Sequence, residues 1–459
     1  MIRLGRAMME RYEIEDRRPK ALRAVLFGLD AMMLCGAARL LDSAGIGAVC
    51  VTGSGEAQAL REQDGMFTLL IRGEGEDGSP LREERVVQSI LEVADPEGGA
   101  EFALRPEVDL FMLPALVSAE DFVAQVAVLV HYLRLRWEAK LAAPRVLLLE
   151  RMTGAMPELR ACVAGFAARV EDAGFADWLE GVSFQSLLVD SLFGQLSDSD
   201  FAKAQREMNY QDRFLLWAEP QLACTPSAAL PEELATVCSR EDYALACARK
   251  ERVFDSLVFL CAVVGFLSGM DTFAQVLRDE KLRAFIGNTI FNELLPALPW
   301  PREKISPHII SAFFRLENSM NDVPLLQESL MSGFSRTLLP SIRAHAEQDF
   351  KAPPRLTLAF SAAIMIYAGA RKNGDSYEVL RGKDRFVLRD APDVLESFSR
   401  LAHDMPAESL TYAVLADRAL WGGDLREIDG LELRVSLDIS SIQRVGFRET
   451  LRLREEFGL

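Results

Sequence analysis

The chain has 459 residues, 49% of them hydrophobic and 26% charged, which predicts a globular protein of two domains rather than one core. Its formal net charge of −17 excludes a phosphate-tracking surface and disfavours anionic membranes, because both need clustered Lys and Arg; neither nucleic acid nor a membrane is expected as a partner. The charged start MIRLGRAMMERYEIEDRRPK has no secretory pattern, and the seven cysteines form no CxxC pair, so free thiols in a reducing cytoplasm are expected.

In chain order, RAVLFGLDAMMLCGAARLLDSAG reads as a buried strand at Ala24–Phe27, a turn at Gly28 and a helix to about Ser43. GAVCVTG, MFTLLIRG (66–73), VDLFML (108–113) and RVLLLE (145–150) read as further apolar strands. Between the last two, SAEDFVAQVAVLVHYLRLRWEAKL has a capping serine at Ser118 and helical periodicity. Apolar strands alternating with helices predict a parallel sheet covered on both faces, an α/β domain of Rossmann type.

From about Pro231 helical patterns take over: 241–267, 271–285, 288–295, 307–315, 325–346 and 355–370, punctuated by prolines. The run from Val253 to Leu267 is too short to span a bilayer and carries Asp255 and Ser256. Only DSYEVLRGKDRFVLRD (375–390) reads as a hairpin, turning near Gly382 and Lys383. The expected fold class is therefore α/β plus all-α. The boundary falls in CTPSAALPEE (224–233), giving domains 1–228 and 229–459 with a site in the cleft between them. The histidines at 131, 308, 345 and 403 never fall in HxxxH or HxH spacing, so no metal is expected.

The order of LFGLDAMM, QDGMFTLLIRG (63–73), VDSLF, KERVFDSLV, SGMDT, RTLLPSIRAHAEQDFKAPPRLTLAFSAAIMIYAG (336–369) and VLRDAPDVLESF resembles the mannitol dehydrogenase family of long-chain polyol and uronate dehydrogenases, in its tagaturonate reductase (altronate oxidoreductase) branch. The resemblance runs from about residue 22 to the C-terminus. It implies a Rossmann domain followed by a helical domain, NAD as cofactor, and hydride transfer between nicotinamide and a small sugar acid or polyol.

The motifs that carry this chemistry depart from the family pattern. The family's G-x-G-x-F-x-R-like turn keeps Gly28 but has Asp30 at the second glycine and Leu34 at the arginine. A side chain at Asp30 obstructs the approach of a pyrophosphate, and a carboxylate repels it. Gly28 after a strand equally marks a plain tight turn. Where an S-N-T-T-E-A-G-like loop lies beside the nicotinamide, this chain has Leu113-Pro114-Ala115-Leu116-Val117-Ser118. In the family's K-x4-N-x2-H helix the lysine is general acid/base and Asn and His hold the reacting oxygen. Lys250 matches the lysine, Asp255 falls at the Asn and Val258 at the His. On an ideal α-helix the three fan over roughly 140° of one side. Val258 donates nothing, and an ionised Asp255 only accepts and repels a uronate. The R-F-x-N-P segment survives as Arg315 and Asn318, V-D-R as Val189-Asp190-Ser191, and the C-E-x4-N-G-like loop as Glu150 to Gly154.

Each survivor also has a plain structural reading. Lys250 in ARKER fits a solvated helix start, Asp255 a partner for Arg249 or Arg252, and Asp190 a helix cap. Two functions follow. One is an NAD-dependent oxidoreductase with a rearranged site: Lys250 and Asp255 as catalytic residues, Gly28 and Asp30 at the cofactor, Asp190 at the substrate. The other is a non-catalytic relative serving as a binding, regulatory or assembly protein. The simultaneous loss at three motifs favours impaired or absent activity.

Overall fold

The structure is a computed structural model that describes residues 2–456 apart from 54, 75–79, 116–118, 152–153, 171, 209, 221, 319–324, 327–328, 350 and 375. The chain divides into two compact units, Met1–Cys247 and Ala248–Leu459.

The first unit is organised by a seven-stranded sheet: β1 (Leu22–Phe27), β2 (Gly47–Val51), β3 (Ile90–Ala94), β4 (Leu110–Pro114), β5 (Arg145–Glu150), β6 (Ser183–Val189) and β7 (Cys224–Pro226). Their order across the sheet is β7-β6-β5-β4-β1-β2-β3, parallel except for the β7 edge. Leaving that edge aside, this is the doubly wound nucleotide-fold order, with the strand order reversing at β1. The continuous apolar runs have a physical reason. Ala24 and Leu26 of β1 enter one core, while Val25 and Phe27 enter the other, so both faces are covered.

MFTLLIRG is a strand, but not of that sheet. Phe67–Glu74 pairs antiparallel with Pro80–Val87 in a separate four-stranded sheet completed by Phe193–Gln195 and Leu216–Ala218. Only residues 75–79 separate the first pair, and a parallel crossover needs about a dozen residues or more. The helix after β1 begins as a π-helix, Met32–Ala38, and continues as α1 (Arg39–Ala44). Between β4 and β5 lies α2 (Ala119–Glu138); its expected cap, Ser118, falls outside the described residues.

The boundary drawn from sequence at 228/229 precedes the division between units. β7 pairs with β6, and α3 (Glu232–Val237) packs against α1, with Leu234 in the sheet's core. α4 (Tyr243–Arg249) also starts in the first unit, where Ala246 packs on Leu188 of β6.

In the second unit the expected helix 241–267 is three pieces: the end of α4, a π-helix at Lys250–Asp255, and α5 (Ser256–Leu267). Every residue of α5 from Ser256 to Phe266 is buried, so the helix is apolar all round because it is enclosed all round. It packs on α6 (Pro354–Tyr367), which packs on α7 (Leu431–Val445). The expected helix 271–285 divides at Asp279, whose carboxylate accepts from the backbone N–H groups of Lys281 and Leu282 and starts a new helix. The hairpin, Ser376–Arg381 with Asp384–Leu388, turns at Gly382 (φ 64°) and gains a third strand, Arg371–Asn373. Among the described residues no helix is long and apolar enough to cross a membrane, and no His/Cys/Asp/Glu group has metal-ligand geometry.

Candidate functional site

In the first unit the carboxyl ends of β1, β4, β5 and β6 lie along one edge of the sheet, where α/β folds hold their ligands. Gly28 leaves β1 with φ 98°, and its N–H donates to Val51 O at 2.9 Å. A Cβ there would stand 2.8 Å from Nε2 of Gln125 on α2, so the position demands glycine both for its backbone and for its space.

Two residues on, Asp30 points back into the helix start. Its Oδ1 accepts from the Met33 N–H at 2.8 Å, and its backbone carbonyl accepts from Leu34 at 3.0 Å. The carboxylate therefore takes up a first-turn N–H of the helix that the family turns toward a pyrophosphate. Burial pushes the Asp30 carboxyl above the usual carboxylate range, against the backbone hydrogen bonds from Met33 and Met32 that lower it. Its Oδ2 is buried without a hydrogen-bond partner. Asp30 as it stands puts a carboxylate where a dinucleotide's pyrophosphate would approach this turn. The end of β2, Val51-Thr52-Gly53, also lacks the carboxylate that grips an adenosine ribose in NAD-binding folds. That absence was legible in the sequence by spacing. The role of Gln125 was not, since only the tertiary fold brings α2 to Gly28.

Raised acid pKa values have a definite sign. A carboxyl whose folded pKa lies above its unfolded value, about 4, contributes stability at acid pH and loses it as pH rises through the folded value. Asp30→Asn is therefore expected to gain stability relative to the parent chain as pH rises above about 4. Urea midpoints measured across that range check it, and a constant difference sinks it.

Along the same edge, Leu113 and Pro114 are buried, and the Ala115 N–H donates to Leu149 O at 2.8 Å. These three residues offer no polar side chain, and 116–118 fall outside the described residues. Glu150, 1% exposed, accepts from the Ala155 N–H and from the Tyr243 hydroxyl, each at 2.9 Å. It thus holds the shortened loop after β5 and anchors α4. Asp190 is buried directly after β6, and its N–H donates to Ala223 O at 2.9 Å. It caps no helix, contrary to that plain reading, because the next element is the strand Phe193–Gln195.

In the second unit Lys250 is not at a solvated helix mouth. It is 5% exposed, and its Nζ donates to both carboxylate oxygens of Asp255, at 2.7 and 2.8 Å. The π-helix explains the pairing. Its i→i+5 repeat stacks residue 255 below residue 250, where an α-helix would swing them apart. Arg252, offered from sequence as a partner for Asp255, instead donates to Ser341 Oγ at 2.7 Å. Val258 is buried and apolar. Of the other remnants, Arg315 stacks 4.5 Å over the Phe254 ring, and the Asn318 amide donates to Phe314 O of its own helix. The Lys250 amine is held by an acceptor, and neither family helper stands at its family position.

No family model matches the chain. It is 28% identical over 428 residues to an altronate oxidoreductase of Yersinia enterocolitica serotype O:8 / biotype 1B, covering 85% of this chain and 86% of that protein. A Shigella sonnei altronate oxidoreductase is 27% identical over 443 residues, covering 86% of this chain and 87% of the relative. By structure it is similar to a Pseudomonas fluorescens mannitol 2-dehydrogenase solved with NAD and D-mannitol, at TM-score 0.78 and 17% identity over 99% of this chain and 100% of the other. A D-sorbitol dehydrogenase in substrate-free form follows at TM-score 0.73 and 17% identity, over 98% of this chain and 100% of the other. Along most of its length the chain is thus similar to altronate oxidoreductases, and it has the fold of the mannitol and sorbitol dehydrogenases.

Proposed function

We propose that this chain is a member of the NAD-dependent polyol and uronate dehydrogenase lineage that has lost hydride transfer and works as a binding, regulatory or assembly protein. The observation that carries this reading is the Lys250–Asp255 ion pair: the residue at the family's general acid/base position donates hydrogen bonds to a carboxylate of its own helix. In the family's chemistry NAD supplies or accepts the hydride. Here Gly28 keeps the turn that NAD would need, while Asp30 occupies the helix N–H that its pyrophosphate would need. Two of the ammonium's three N–H groups are directed at Asp255, and the carboxylate offsets the charge that would polarise a carbonyl oxygen. Val258 adds no donor to help.

The second reading, an active oxidoreductase acting on a sugar acid or polyol, draws on the burial of Lys250, which keeps the amine out of bulk water. Calorimetry with NADH to millimolar concentration, followed by turnover assays on tagaturonate and fructuronate, separates the two. Absence of turnover at saturating reagents supports the proposal. Saturable binding with turnover abolished by Lys250→Ala overturns it.

A further inference from the structure

A second polar cluster lies inside the first unit, away from the strand ends. Arg39, on α1, is 1% exposed within the core shared by the helix and the two sheets. Its Nη2 donates to Pro220 O at 2.6 Å, while Nε and Nη1 are buried with no acceptor. Opposite it stands Arg85. In the four-stranded sheet Arg85 pairs with Leu69 and Leu69 with Leu216, so the three share one row and one face. Leu69 and Leu216 belong to the core packed against α1, which aims Arg85 at the same helix. Its Nη2 reaches Ser43 Oγ at 3.2 Å and Asp42 Oδ2 at 3.4 Å on α1, and its Nε is again buried without an acceptor.

The nearby anions answer these cations only in part: Asp42 Oδ2 meets Arg85, the charge of Glu219 reaches Arg39, and both carboxylates also serve backbone groups. Asp42 Oδ1 accepts from the Gln88 N–H at 2.9 Å, and Glu219 Oε2 accepts from the Leu192 N–H at 2.8 Å. The other polar neighbours of Arg39 are thiols, Cys35 and Cys224, which burial holds protonated. Burial lowers the Arg39 pKa and the charge of Arg85 lowers it further, against an opposing pull from Glu219. Two guanidinium groups thus face one seam with three buried donors unanswered. A water molecule could accept their hydrogen bonds but would not offset their charge.

We propose that Arg39 and Arg85 hold a small inorganic anion, an oxyanion or a halide, in the seam between α1 and the four-stranded sheet. The anion ties the accessory sheet to the Rossmann layer. This inference does not depend on whether the chain is catalytic.

Thermal unfolding of the full chain is followed as phosphate, and separately chloride, is added, alongside Arg39→Met and Arg85→Met. The unmodified chain is expected to gain roughly 2–5 °C at a tenfold excess over Kd, and both variants to gain much less. A shift with phosphate assigns an oxyanion, and one with chloride alone a halide. Should Arg39→Met fail to fold, Arg85→Met carries the comparison, since its side chain is partly exposed. A shift of equal size in the variants, or none in the unmodified chain with either anion, overturns the proposal.

Discussion

Asp30→Gly is expected to let NADH bind roughly 10–100-fold more tightly than the parent chain, without giving turnover. Removing the side chain frees the Met33 N–H that Oδ1 now occupies, and it removes a carboxylate from the place where a second negative group would arrive. Like charges brought together in a partly buried site cost several kcal/mol, so the affinity gain exceeds the modest loss from the missing cap. That loss should itself be visible as about 1 kcal/mol in urea unfolding. No turnover is expected with it, because Asp255 still pairs with Lys250 and Val258 still offers no donor. NADH fluorescence titration of the two proteins decides the matter. Equal affinities would show that Asp30 is not what keeps the dinucleotide out.

The largest stability effect is expected at the second unit's ion pair. Asp255→Ala leaves a 5% exposed ammonium without its carboxylate, and breaking a buried pair on one side costs about 3–5 kcal/mol. Adding Lys250→Met, which replaces the cation with an apolar chain of similar length, should restore most of that loss, because the penalty belongs to the orphaned charge. Urea midpoints of the two single variants and the double variant form the cycle. If Asp255→Ala costs under about 1 kcal/mol, or the double variant is no more stable than it, the pair is solvated and the locked-lysine account of the proposed function falls with it.

Much of the architecture was legible in the residues. The apolar runs at Val25–Phe27, Leu110–Leu113 and Val146–Leu149 are strands buried on both faces, and no antiparallel surface sheet would tolerate them. The groups at the motif positions were legible too, since a carboxylate at 30 and valine at 258 are matters of side-chain chemistry. What could not be read was pairing. MFTLLIRG has the composition of any buried strand, and only the short connection to Pro80–Val87 sends it to a second sheet. Composition likewise put the domain boundary at the Pro- and Ala-rich segment, because the packing of Leu234 and Ala246 onto the first unit leaves no local mark.

The sequence by itself determined the α/β-then-helical order and the identity of the groups at the motif positions, because these follow from residue type and spacing. Only the tertiary structure decided what those groups do. Lys250 reads as a charged residue at a helix start until the π-helical turn places Asp255 beneath it. Asp30 reads as an obstruction until its carboxylate is seen capping the helix from within. Arg39 carries no local mark of burial, yet it lies 1% exposed in the core that α1 shares with the two sheets. In each case the deciding quantity is a partner or a degree of burial. Such quantities come from distant segments, whose arrival at that point is a property of the packed chain and not of its neighbours in sequence.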